Sequence, residues 1–219
     1  MSDQLILKFP SHRAYKKEDF YVSPSNQEAY DFINNWPKWI TRTVNIFGPS
    51  GSGKSHLASM LKNKTSHLEI EAKNLDDEIF FKFKTKEALI IENLNEKISE
   101  NLLFSLWNNA LQDNKFFLIT SIKPISTYKF KLPDLNSRIK SCLNIGIKLP
   151  SDELISVILT KNFSDKQITV EKKHIDYIIK RIDRSYEKIS QFILTLDRYS
   201  LKKGSPFRLK MIKEVLKMI

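Results

Sequence analysis

The sequence predicts an α/β domain built on a parallel sheet and followed by a helical appendage, and three observations carry that expectation. A strand, a glycine-rich turn and a helix follow one another over residues 43–62. Short apolar runs at 67–71, 88–93, 116–121 and 143–147 then alternate with segments of helical spacing, as in repeated βαβ units. Beyond Pro150 only helical periodicity remains. Five strands are expected, parallel because a helix fills each crossover.

Length and composition set the bounds. A chain of 219 residues holds one α/β domain and a smaller unit. Its 41% apolar and 28% charged residues are ordinary for a soluble globular protein. No apolar run reaches the roughly 20 residues of a membrane span. Cys142 has no internal partner for a disulfide, which suits a reducing cytoplasm, and it reads as a small core residue. His12, His56, His67 and His174 show no metal-ligand spacing. The net charge of +11 raises the question of nucleic acid. The excess is mostly lysine, 36 − 7 = 29 after subtracting the arginines, and it is spread along the chain. That favours general solvation over a dedicated DNA surface, so DNA contact is expected to be weak or indirect.

Taken in order, residues 1–22 form an N-terminal arm. It contains the apolar peptide Gln4-Leu5-Ile6-Leu7-Lys8-Phe9-Pro10 and a basic run from Arg13 to Lys17. From composition this peptide is an edge strand, an arm that docks on the domain, or a linear motif for a partner's pocket. A helix is expected from Ser25, with Glu28 three residues on completing a capping box, and it stops before Pro37. The strand 43–47 follows, then the loop and its helix. Alternation makes 67–71 a strand, and 75–84 a short helix. Ala88 to Asn93 reads as a strand buried on both faces. Ser99–Asn114 has amphipathic spacing, 116–121 is a fourth strand, Pro133 opens a helix at its first-turn position, and 143–147 closes the sheet. The appendage reads as helices at 151–163, 171–182, 185–201 and 206–219, the last with Ser205 as cap and Pro206 in first position.

The chemistry centres on Gly48-Pro49-Ser50-Gly51-Ser52-Gly53-Lys54-Ser55, which satisfies the phosphate-loop pattern G-x-x-x-x-G-K-[ST] in its required strand–turn–helix setting. The glycines let backbone N–H groups curl around a phosphate chain, with His56 opening the helix behind them. Lys54 is expected on the β- and γ-phosphates, and Ser55 on Mg²⁺. Glu92 ends a strand 92 − 54 = 38 residues after Lys54, where the second metal-binding group of such proteins sits. The expected ligand is ADP or ATP with Mg²⁺.

With these features in place, the chain resembles the AAA+ phosphate-loop NTPases, whose five-stranded parallel core carries a C-terminal helical lid. More narrowly, it resembles the DnaA family of replication initiators, and most closely the family's short Hda-like branch. The resemblance rests on Glu18–Asn26, the loop at 48–58, LPDLNSRI at 132–139 and the tail at 185–216. It implies an arm at 1–22, a nucleotide-binding domain at 23–150 and a lid at 151–219. DnaA proteins continue into a helix-turn-helix domain, whereas this sequence stops at Ile219, as Hda-like proteins do.

The resemblance also implies partners. Gln4, Leu5, Ile6 and Leu7 match the peptide with which Hda-like proteins enter the pocket of the DNA polymerase sliding clamp (its β subunit), with Lys8-Phe9 a departure. Arg138 falls where the family carries an arginine finger that enters the nucleotide site of another subunit. The implied function is regulation of replication initiation: docked on the clamp, the protein meets DnaA and stimulates its ATP hydrolysis. A homo-oligomer is a further implied assembly, and no membrane is involved. A plain ion pair between Arg138 and Asp134 is the alternative role for that arginine.

Three departures weaken intrinsic turnover. The usual pair of acids is Glu92-Asn93, the acid after the serine of the fourth strand is Ile122, and the lid arginine aligns with Glu187, leaving Arg184 and Lys188 nearby. Nucleotide binding with little hydrolysis is therefore expected. The rival readings are an autonomous AAA+ ATPase and a DnaA-like initiator or loader acting on DNA.

Overall fold

The computed structural model describes residues 20–165, 170–203 and 209–219. Its sheet is five-stranded and parallel, with β1 (Thr43–Phe47), β2 (His67–Glu71), β3 (Ala88–Leu94), β4 (Phe116–Ser121) and β5 (Leu143–Gly146) in the order β2-β3-β4-β1-β5. β1 lies between β4 and the edge strand β5, so the loop that leaves it emerges where strand order reverses.

Residue alternation divides the sheet into two apolar faces. Leu89, Ile91, Phe117 and Ile119 pack against α3 (Ile79–Lys84), α4 (Glu100–Gln112) and α5 (Pro133–Lys140), with Trp107 and Leu135 fully buried among them. On the other face Val44, Ile46, Ile90, Leu118 and Ile145 meet α1 (Gln27–Asn34) and α2 (Lys54–Lys62). Both faces are covered, which is why the central strands read as continuous apolar runs. A separate core joins α6 (Asp152–Asp165), α7 (Lys172–Ile179), α8 (Tyr186–Lys203) and α9 (Leu209–Leu216) around Phe192, Leu159 and Ile178.

Several local expectations are corrected. No capping box forms at Ser25: its Oγ is hydrogen-bonded to Ser23 Oγ at 2.7 Å, and α1 begins at Gln27. Asn26 precedes it instead, accepting from Ser23 N at 2.8 Å and donating to the Tyr21 carbonyl at 3.0 Å. The segment 75–84 is helical only from Ile79, because a 3₁₀ turn at Ala72–Asn74 uses the preceding backbone. Where Ser99 caps α4, its Oγ accepts from Leu102 N at 3.4 Å. The Ser205–Pro206 cap and the peptide 4–9 lie outside the described residues. Cys142 is buried, and burial pushes its thiol up to about 12. No described helix is long and apolar enough to cross a membrane.

Two outcomes check this core. Phe117→Ala should cost about 3–5 kcal/mol of unfolding free energy, measured by urea denaturation, since the ring is fully buried against Trp107. Cys142 should resist alkylation at pH 8 in the native protein and react once the chain is unfolded.

Candidate functional site

The glycine-rich loop is held by backbone geometry before any side chain acts. Gly51 and Gly53 have φ of 78° and 95°, a region that other residues enter only with strain. A Cβ on Gly53 would also lie 2.9 Å from the Phe20 ring. Gly48 N donates to the Ser121 carbonyl at 3.1 Å, tying the loop to the end of β4. Lys54 Nζ donates to the carbonyls of Gly48 and Pro49, each at 2.8 Å. Burial lowers the Lys54 pKa, against the opposing charge of Glu92. Ser52 Oγ is buried with no hydrogen-bond partner, a polar atom facing the inside of the loop's own turn.

Beside the loop, the end of β3 brings Glu92 to Ser55. Ser55 Oγ donates to Glu92 Oε2 at 2.5 Å, so two hard oxygen donors meet at one point. Such a pair fits Mg²⁺ by donor type. Sequence reasoning missed the next member, Glu69 on β2. It faces the same side of the sheet as Glu92 and hydrogen-bonds it, while Lys62 of α2 forms an ion pair with Glu69. Burial and the hydrogen bond with Glu69 raise the Glu92 pKa. Burial would also raise Glu69, but the bonds from Glu92 and Lys62 bring it below the ordinary carboxylate value. The alternation of 67–71 was a usable signal, since it already places Glu69 two residues from Glu71 on one face.

Asn93 is exposed, with φ of 57° where β3 shifts register against β4. Its N–H donates to Thr120 Oγ1 at 3.0 Å, and its amide donates to Glu71. Ser121, the polar end of β4, is used structurally: it accepts from Asn45 Nδ2 at 2.8 Å and donates to the Lys123 carbonyl. The structure thus brings together the loop, Ser55 and Glu92. Arg138 stands apart from them on the exposed side of α5. The Arg138–Asp134 pair is not formed; Arg138 Nε donates to Asn108 Oδ1 of α4 at 2.9 Å, because the turn of α5 points the guanidinium toward α4.

A cavity of about 460 Å³ opens over the loop, between Phe20, Tyr21 and Asn26 on one side and α6 and α8 on the other. His56 lies in its wall, edge-on to Phe20 with centroids 5.2 Å apart, and Phe20 in turn stacks on Tyr30. α6 presents Leu154, Val157, Ile158 and Lys161 at helical spacing. Tyr186 of α8 comes closest to the loop: a Cβ on Gly51 would lie 3.2 Å from it, and its hydroxyl donates to the Lys148 carbonyl at 3.2 Å. The helical segment therefore does contribute a cation to the cavity wall, Lys161, from a helix that the tail motif did not cover. The α8-side cations are engaged elsewhere, Arg184 with Asp152 and Lys188 with the Ile219 carbonyl. Ile122 also lines the cavity and is 69% exposed.

A phosphate loop at the switch point of a β2-β3-β4-β1-β5 sheet, roofed by a helical cluster, defines an AAA+ domain. Within that class the chain is similar in sequence and in fold to DnaA, the chromosomal replication initiator. DnaA of Borreliella afzelii is 25% identical over 234 residues, covering 94% of this chain and 48% of the relative. The chain spans about half the length of the curated relatives it matches. Domain III of Thermotoga maritima DnaA superposes with a TM-score of 0.79 at 21% identity, covering 95% of this chain and 98% of that one. A DnaA bound to AMPPCP and single-stranded DNA gives a TM-score of 0.69 at 17% identity, covering 88% of this chain and 68% of that one. No protein-family model matches the chain.

The carboxyl pair gives a signed pH dependence. A folded-state pKa raised at Glu92 stabilises the fold below the ordinary carboxylate value and loses that contribution as pH rises through the elevated one. Glu92→Gln keeps both hydrogen bonds without the charge. In EDTA its unfolding midpoint should therefore match the parent near pH 4 and exceed it at pH 7; a parent equally stable relative to the variant at both pH values would contradict the assignment.

Proposed function

We propose that this protein is a nucleotide-binding AAA+ regulator of replication initiation, acting on a DnaA-type ATPase. The observation that carries the reading is the cavity over the glycine loop, whose size suits a nucleotide. Gly48, Pro49, Ser50, Gly51, Ser52 and Gly53 would surround the phosphates with backbone N–H groups, Lys54 would supply a cation, and His56 with Phe20 an aromatic wall. Ser55 and Glu92 would hold Mg²⁺, which when bound polarises the phosphate oxygens. The ligand is ADP or ATP, a reading supported by the solved DnaA bound to AMPPCP.

Intrinsic turnover is expected to be slow. Asn93 offers an amide in place of a second acid, and that amide is committed to Glu71. Arg138 is exposed and held by a neutral amide rather than a carboxylate, so little opposes its transfer to a neighbour's γ-phosphate. Residues 4–7 would place the protein on the sliding clamp, the arm at 1–22 joining the clamp peptide to the nucleotide-binding domain at 23–150 and the lid at 151–219. Self-association is part of the same proposal, through the surface that carries Arg138.

A second reading, an initiator or loader acting directly on DNA, draws on α3. Phe81 there is 82% exposed and is followed by Lys82, which pairs with Glu78, so an exposed aromatic stands beside a cation. Single-stranded DNA binding that falls steeply with salt and is lost in Phe81→Ala would favour it.

The leading reading is tested with three measurements. Lys54→Ala should abolish binding of a fluorescent ADP. Arg138→Ala should leave that binding unchanged within about twofold while removing stimulation of DnaA hydrolysis, an effect of about 10³ or more for a finger. Rapid ATP hydrolysis by the isolated protein, or stimulation that survives Arg138→Ala, would overturn the reading.

A further inference from the structure

Three acidic side chains share one face of the sheet beside the phosphate loop. β2 and β3 run parallel with Glu71 opposite Glu92, and Glu69 lies two residues before Glu71, so alternation turns all three to the side that α2 covers. Their partners differ. The Asn93 amide donates to both oxygens of Glu71. Glu92 accepts from Ser55 Oγ and is hydrogen-bonded to Glu69, and Glu69 in turn forms an ion pair with Lys62.

Ser55 and Lys62 both belong to α2. The 62 − 55 = 7 residues between them are nearly two turns, which puts both on one face, about 10 Å apart along the axis. The four side chains therefore close a circuit: Ser55 of α2 meets Glu92 of β3, Glu92 meets Glu69 of β2, and Glu69 returns to Lys62 of α2. An ordinary surface ion pair would end at Glu69. Here the same carboxyl also meets Glu92, so the last turn of α2 is tied to the group that faces its first.

We propose that Glu69 is a positioning residue for the divalent cation of this site: anchored by Lys62, it holds the Glu92 carboxyl toward Ser55 and so raises the affinity for the metal. The inference rests on the reading above in which Ser55 and Glu92 hold Mg²⁺. The Glu92 carboxyl is hydrogen-bonded to Ser55 and to Glu69, so removing Glu69 takes away one of two restraints. A ligand already oriented by an outer partner loses less freedom when it binds the metal. Lys62 offsets the charge of Glu69, which lets a second acid stand beside the first.

Mn²⁺ titrated into the complex of the full chain with ADP tests it, with free metal read by electron paramagnetic resonance. Mn²⁺ shares the preference of Mg²⁺ for oxygen ligands. The parent complex should bind Mn²⁺ more tightly than ADP alone does, and Glu92→Gln should lose that excess. Glu69→Ala should weaken Mn²⁺ binding about tenfold, whereas Glu69→Gln, which keeps a hydrogen bond to Glu92, should stay within about threefold of the parent. ADP binding in EDTA establishes that each variant is folded. Affinity retained in Glu69→Ala but lost in Glu92→Gln would overturn the inference and leave the metal site standing. An equal loss in Glu69→Gln would overturn it too, assigning the effect to charge instead of orientation. A parent complex no tighter than free ADP would instead refute the metal reading on which the inference rests.

Discussion

The site depends on one constraint, the placement of β1 between β4 and β5 with all three strands running the same way. That arrangement brings the C-terminal ends of β1, β3 and β4 to a common edge. The Gly48 amide can then reach the Ser121 carbonyl, and Glu92 can reach Ser55 from a strand two positions away. Asn45 reinforces it from inside: fully buried, it donates to Ser121 Oγ and the Ile119 carbonyl and accepts from Ile125 N. Removing a buried group with three bonds leaves several partners unsatisfied at once, so the loop's position is secured by hydrogen bonds that never touch it.

Electrostatics at that edge are arranged around a shortage of positive charge. Glu92 and Glu69 share a hydrogen bond, Lys62 supports Glu69 from α2, and Lys54 is turned onto two loop carbonyls. A divalent cation bound between Ser55 and Glu92 would relieve the crowding of two acids in a partly buried place. Lys161 of α6 adds a cation to the cavity wall, while Arg184 bonds Asp152 and Lys188 the Ile219 carbonyl.

Much of this was legible in the amino-acid sequence because the carriers are local. The phosphate loop announces itself through glycine spacing, and β1, β2 and β4 fall at the expected residues because short apolar runs between turn signals leave little choice. What was not legible depends on distance in the fold. Glu69 gains its role only when β2 is laid beside β3, and Phe20, Tyr21 and Ile158 become cavity walls only once α6 and α8 are seated over the loop. The Ser25 box failed for a related reason. Its hydroxyl had a competing partner two residues away, and a spacing rule does not weigh such competition.

Tyr186 joins these separate pieces, since it rests on Gly51 while its hydroxyl holds the Lys148 carbonyl at the start of the helical cluster. Lys148 N in turn donates to the Ser25 carbonyl at 2.9 Å, beside the turn that precedes α1. One side chain of α8 therefore touches the glycine loop, the segment that leads into the helical cluster and, through Lys148, the turn before α1.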